Sequence, residues 1–177
     1  MWTELPLGSL VGNTVTGIEL HPLGDHEQGQ IFKTELYTAG QVLFHTTEET
    51  FYLSWIQDDT SELVFFRPAL SKRSFLKEIP DGIDVLSSSE AWGELRGAVL
   101  LQMTPWHEHE TTLAARYSWR ANEHEPRDLF IGSGDFTGDD PMTFYFSDFS
   151  EIAVAISPRY LTNEDALTAL QATNHAH

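Results

Sequence analysis

The chain predicts a mainly β fold: an antiparallel two-sheet sandwich or one strongly curved sheet, with two or three short helices on one side and α+β as the neighbouring class. Three observations predict it. Short runs rich in Val, Ile, Phe, Tyr and Thr recur between turn signals along most of the sequence. Several runs are apolar on both faces, as where Phe51, Leu53 and Trp55 alternate with Tyr52 and Ile56. A sheet open to water on one side would alternate more cleanly, so a second layer has to cover it. Helical spacing, finally, is confined to three short stretches. At 177 residues one core suffices, and residues 1–177 are read as a single globular domain.

Taken in order, strands are expected over Thr14–Leu20, Gln30–Thr38, Gln41–Thr46, Thr50–Ile56 and Glu62–Arg67. They are separated by the turn-forming stretches HPLGDHEQG, AG, TEE and QDDTS. That pattern predicts a meander. Ser71–Ile79 has Phe75, Leu76 and Ile79 at helical spacing behind Ser71, with Pro80 as its limit. In SSSEAWGELRG, Ser87 and Glu90 have capping-box spacing, Ala91, Trp92 and Leu95 share a face, and Gly97 can end the helix. Strands resume over Ala98–Met103, Thr112–Arg120, Asp128–Ile131, Met142–Phe149 and Ile152–Ile156. In the second of these, Leu113, Ala115, Tyr117 and Trp119 point inward, while Arg116 and Arg120 face out and can pair with glutamates across the sheet. A last helix starts at Thr162, with Glu164 and Asp165 in its first turn.

Two segments resemble each other. GQVLFHTTEETFYLSW (Gly40–Trp55) and GAVLLQMTPWHEHETTLAARYSW (Gly97–Trp119) both open Gly-x-Val-Leu and close Ser-Trp. They suggest an internal repeat of hairpin units, about 14–68 and 90–150, with the surplus of the second copy falling on PWHEHE.

Charge is the unusual feature: 27 acidic residues against 10 basic ones give a formal net charge of −17. Such a field repels nucleic acid and anionic membranes and speeds encounter with a basic partner. With no cysteine, disulfides, thiolate metal sites and cysteine nucleophiles are excluded. No basic n-region opens the sequence and no apolar run is long enough to span a membrane, so a cytoplasmic location is expected.

The most site-like string is TPWHEHETT, residues 104–112. His107 and His109 would lie on one side of an extended strand and could share a divalent ion such as zinc. The next cluster, His124 and Glu125, is separated from them by a strand of about 33 Å at 3.3 Å per residue, so it cannot complete the site. His107 and His109 are therefore read first as the tip of a hairpin. His21 and His26 are expected at the surface, and His45 as a hydrogen-bonded residue on its strand.

Asp135, Asp139 and Asp140 form an acidic glycine-rich loop without EF-hand spacing. No phosphate loop, dinucleotide fingerprint or serine elbow occurs. The first functional reading is an acidic binding module that engages a basic protein partner, inhibitor-like or immunity-like, through Asp58, Asp59, Glu62, Glu108, Glu110, Asp139 and Asp140. It needs no cofactor. A second is a metal-dependent hydrolase or isomerase using His107 and His109. A third is a small-ligand-binding β-barrel with a pocket near Trp55, Tyr117 or Trp119.

Overall fold

A computed structural model describes residues 3–21, 31–32, 35–60, 63–77, 81–108, 110–122, 124–137, 143–149 and 151–172. In chain order the strands are β1 (Glu4–Leu5), β2 (Val15–His21), β3 (Ile31–Phe32), β4 (Leu36–Ala39), β5 (Gln41–Thr46), β6 (Thr50–Thr60), β7 (Leu63–Ser71), β8 (Ile83–Asp84), β9 (Val99–Glu108), β10 (Thr111–Arg120), β11 (Arg127–Phe136), β12 (Phe144–Phe146) and β13 (Ile152–Ala155). The α-helices are α1 (Glu90–Gly93) and α2 (Glu164–Ala172). Two antiparallel sheets result. The first has the order β1-β7-β6-β5-β2-β8, and the second β3-β4-β13-β11-β10-β9, with β12 paired to β11 beside that path.

The sheets pack face to face through the residues that alternation turns inward. Ile18, Val42 and Phe44 of the first meet Tyr117, Trp119 and Ile131 of the second in one buried cluster. Tyr117 is wholly buried, and its hydroxyl donates to the Leu7 carbonyl at 2.6 Å. Burial pushes the pKa of that hydroxyl up, so it stays a neutral donor. Trp55 packs edge-on against Phe66. These are the aromatics that a barrel cavity would have used, and Tyr117 and Trp119 are core instead. On β6, whose run is apolar on both faces, Tyr52 and Ile56 on the outer side are only half-buried; the second buried apolar face belongs to the other sheet. On the outside of the second sheet, Phe130, Phe144, Phe146, Ala166 and Leu170 form a separate buried cluster, roofed by β12 and α2.

The expected meander is interrupted. β4 and β5 do not pair with each other, because Gly40 is where the chain leaves the second sheet for the first. Residues 36–44 are all buried, so this passage runs between the layers, and its Gly40 N–H is met by the His21 carbonyl at 3.1 Å.

The helix expected at Ser71–Ile79 is absent over its described part. β7 extends to Ser71, and residues 72–77 follow as bends interrupted at Ser74. Side-chain acceptors take the backbone donors that a helix would need. Arg73 N–H donates to Ser71 Oγ, Phe75 N–H to Gln41 Oε1, and Leu76 N–H to Ser74 Oγ. Lys72, in this segment, pairs with Glu49 at 3.1 Å. Likewise Ser89, not Ser87, caps α1, accepting from Trp92 N–H at 3.2 Å. Gly97 closes that segment at φ +86°. Ahead of α2, Thr162 and Asn163 spend their side chains on β12, Asn163 bonding both the N–H and the carbonyl of Phe146.

That attachment depends on Gly134. A Cβ there would lie 2.0 Å from the Tyr145 carbonyl, a contact only backbone movement could relieve. We expect Gly134→Ala to separate β12 from β11, at a cost of about 1–3 kcal/mol or more. The matching readout is faster amide exchange at Ser147, whose N–H donates to the Ser133 carbonyl of β11 at 3.0 Å, with the inter-sheet core still protected.

Candidate functional site

The partner-binding residues read from the sequence divide into those whose side chains are described and those that are not. Glu108 ends β9 and Glu110 stands in the turn after it, both exposed. Asp58 and Asp59 lie in β6 opposite Phe65 and Val64, and their side chains are outside the described residues. So are Glu62, Asp139 and Asp140.

His107 is on β9, opposite Thr112, whose hydroxyl is 2.8 Å from its Nδ1. β9 thus continues through PWHE, and Glu110 stands in the turn that follows. Glu110 adopts φ 69° there, a conformation an L-residue other than Asn or Gly adopts at a cost. His109 itself is outside the described residues. Among the described residues, no three His, Asp or Glu side chains are grouped to hold a metal. His107 and Thr112 are cross-strand partners here as His45 and Thr50 are between β5 and β6.

Four residues on the outer face of the first sheet form a hydrogen-bonded chain. Alternation along β2 puts Gly17, Glu19 and His21 on that face, and along β5 it puts His45 there. Register places His45 beside Gly17 on one side and Thr50 on the other. Gly17 has no side chain to obstruct the imidazole; a Cβ would stand 3.2 Å from His45 Cδ2. The ring leans over β2, where its Nε2 is 2.6 Å from Glu19 Oε1. Its Nδ1 is 2.9 Å from Thr50 Oγ1. The second oxygen of Glu19 is 3.2 Å from His21 Nε2.

Both histidines depart from or sharpen the reading of the sequence. His21, expected at the surface, is 2% exposed. The reason is the segment after β7, which crosses this face toward β8 and sets Gly82 against the ring; a Cβ on Gly82 would come within 2.5 Å of His21 Cε1. His45 is hydrogen-bonded, as expected, and does so through both ring nitrogens.

The chain opens onto a depression of about 720 Å³ whose lining includes Glu19, His45, Glu48, Glu49, Thr50, Asp84 and Arg96. Four of these are carboxylates and one a guanidinium. Arg96 donates to the Thr16 carbonyl at 3.1 Å and stands 3.6 Å from Asp84. Asp84 also caps the 3-10 turn Val85–Ser87, accepting from Leu86 N–H. Glu48, at the hairpin tip, is exposed and has no ion pair among the described residues.

A carboxylate only accepts, so Glu19 fixes the proton of each histidine on Nε2. The Nδ1 of neutral His45 is then bare and takes the hydroxyl proton of Thr50 as a hydrogen bond. The strand parity of Glu19, His21, His45 and Thr50 was readable in the sequence. Their convergence was not, because it needs the β2–β5 pairing.

Comparison with known protein families, curated proteins and solved structures returned no match to this chain. No helix among the described residues is long and apolar enough to cross a membrane.

Proposed function

We propose that this protein is an acidic binding module of the cytoplasm that engages a basic protein partner, as an inhibitor or immunity-like protein does. The observation that supports it best is the rim of the depression. Glu19, Glu48, Glu49 and Asp84 line it together with Arg96, on a chain of net charge −17. Lys72 and Arg96 partly neutralise Glu49 and Asp84, which leaves Glu48 as the exposed anion nearest an incoming cation. A partner's Lys or Arg would exchange water for carboxylate in a concave setting, where the field is stronger than on open surface. Glu108 and Glu110 at the other hairpin tip, with Asp58, Asp59, Glu62, Asp139 and Asp140, extend the acidic contact in this reading. The same charge disfavours nucleic acid and anionic membranes as partners.

Immobilised protein exposed to cell extract tests this reading. At low ionic strength a basic protein should be retained, and it should elute when salt is raised to about 1 M, where screening acts within about 3 Å. Glu48→Gln combined with Glu49→Gln should lower the retained amount mainly by slowing association. Retention of nothing at low salt would sink the proposal.

A further inference from the structure

Two hairpin tips, β5–β6 and β9–β10, each hold a cross-strand His–Thr pair, and one of the two is connected to a carboxylate. His107 and Thr112 meet at 2.8 Å on an exposed strand end, with no carboxylate bonded to His107 among the described residues. His45 and Thr50 meet at 2.9 Å, with Glu19 at 2.6 Å from the other ring nitrogen. Glu19 is held in turn by buried His21. Nucleophile, base and orienting carboxylate thus stand in sequence, and all three line the same open depression. That is the arrangement by which a weak hydroxyl nucleophile is activated.

We propose that Thr50, His45 and Glu19 form an acyl-transfer site that hydrolyses small carboxylic esters. Thr50 Oγ1 attacks the ester carbonyl carbon, and its proton passes to His45 Nδ1. The imidazolium so formed keeps its Nε2 proton, which it donates as a hydrogen bond to the Glu19 carboxylate, whose charge balances it. Collapse of the tetrahedral adduct breaks the bond to the alcohol, which leaves with the Nδ1 proton, and the acyl group remains on Thr50. Water then attacks that ester with His45 again taking a proton. The carboxylic acid departs and the Thr50 hydroxyl is restored, so the net change is ester plus water to acid plus alcohol.

Arg96 is the guanidinium in the lining against which oxyanion charge can be balanced. Glu48, Glu49 and Asp84 on the rim select neutral or cationic esters over anionic ones. This inference stands apart from the basic-partner reading, since it rests on the Thr–His–Glu geometry and not on net charge.

The internal pair provides the control. The full chain is incubated with p-nitrophenyl acetate, nitrophenolate release is followed, and the acetylated protein is digested and mapped by mass. Acetyl is expected on Thr50 and not on Thr112. Thr50→Val, which keeps the side-chain shape, and His45→Gln, which keeps a donor toward Glu19, should each lower the rate roughly 100-fold or more. His107→Gln should leave it unchanged. Glu19→Gln should lower kcat while sparing KM, as expected of a group that positions the base.

Equal acetylation of Thr50 and Thr112, or a full rate in folded Thr50→Val, would overturn the proposal. If Thr50→Val does not fold, the label map of the unmodified chain decides by itself.

Discussion

Asp128→Ala should cost about 3 kcal/mol or more of unfolding free energy, and it should cost more than Arg116→Met, although the arginine is the larger side chain. Arg116 is fully buried on the outer face of β10, while Asp128 is about one-quarter exposed. They meet diagonally across β10 and β11 at 3.0 Å, and Arg116 also donates to Thr104 at 3.2 Å. Removing Asp128 takes away the carboxylate that stands 3.0 Å from a buried cation, the kind of change for which losses of about 3–5 kcal/mol are typical. Removing Arg116 leaves a carboxylate that water can still reach, and methionine fills much of the vacated space. At roughly 2–4 °C per kcal/mol for a chain of this size, Asp128→Ala should melt well below Arg116→Met in parallel urea and thermal unfolding. The reverse ranking would mean that Arg116 acts through packing of its stem and not through its charge.

The same pair marks how far the sequence could be followed. Alternation along Thr112–Arg120 assigns Leu113, Ala115, Tyr117 and Trp119 inward and Arg116 outward; Ala115, Tyr117 and Trp119 join the inter-sheet core, while a register irregularity falls at Leu113. It does not follow that outward means exposed. α2 lies across β9 and β10, and Arg116 is wholly buried, with an aspartate on β11 beside it at 3.0 Å. Which strand face receives a C-terminal helix depends on contacts between residues far apart in the chain, which local periodicity does not contain. The two-sheet architecture was legible because doubly apolar strands demand a second layer. The switch at Gly40 was not, since Ala-Gly reads equally well as a hairpin turn.

The depression shows the limit more sharply. HEHE drew attention because its residues are adjacent in sequence, yet the connected chain is assembled from Glu19 and His21 on β2 and His45 and Thr50 on the β5–β6 hairpin. Its sequence signal was the parity of a carboxylate and a histidine on β2, which acquires meaning only once β5 pairs beside it. The absent helix at Ser71–Ile79 belongs to the same lesson. Helical spacing of Phe75, Leu76 and Ile79 was real, but Ser71, Ser74 and Gln41 offer acceptors that hold the segment as a strap over the sheet. By crossing this face, the strap buries His21 and so fixes Glu19.

Trp92→Ala should lower stability by about 3–5 kcal/mol, the range for deleting a fully buried large aromatic, and should shift the melting temperature by roughly 6–20 °C. Trp92 has 0% exposure and meets Tyr37 edge-on, ring centres 5.3 Å apart at 62°. α1 is four residues long, far too short to be stable by itself. Its conformation therefore depends on the Ser89 cap and on the indole anchored in the core. Losing the indole removes the anchor as well as buried area, and the consequence reaches the depression. Arg96 leaves this segment to bond the Thr16 carbonyl and approach Asp84, so it loses its fixed position when α1 loosens. Trp92→Phe, which keeps an aromatic ring in the core, should lose less. Amide exchange over 85–97 measured beside global unfolding distinguishes the two effects. Local opening that precedes the main transition is expected for Trp92→Ala, whereas uniform destabilisation would show that α1 is held by its cap and its 3-10 neighbour without the tryptophan.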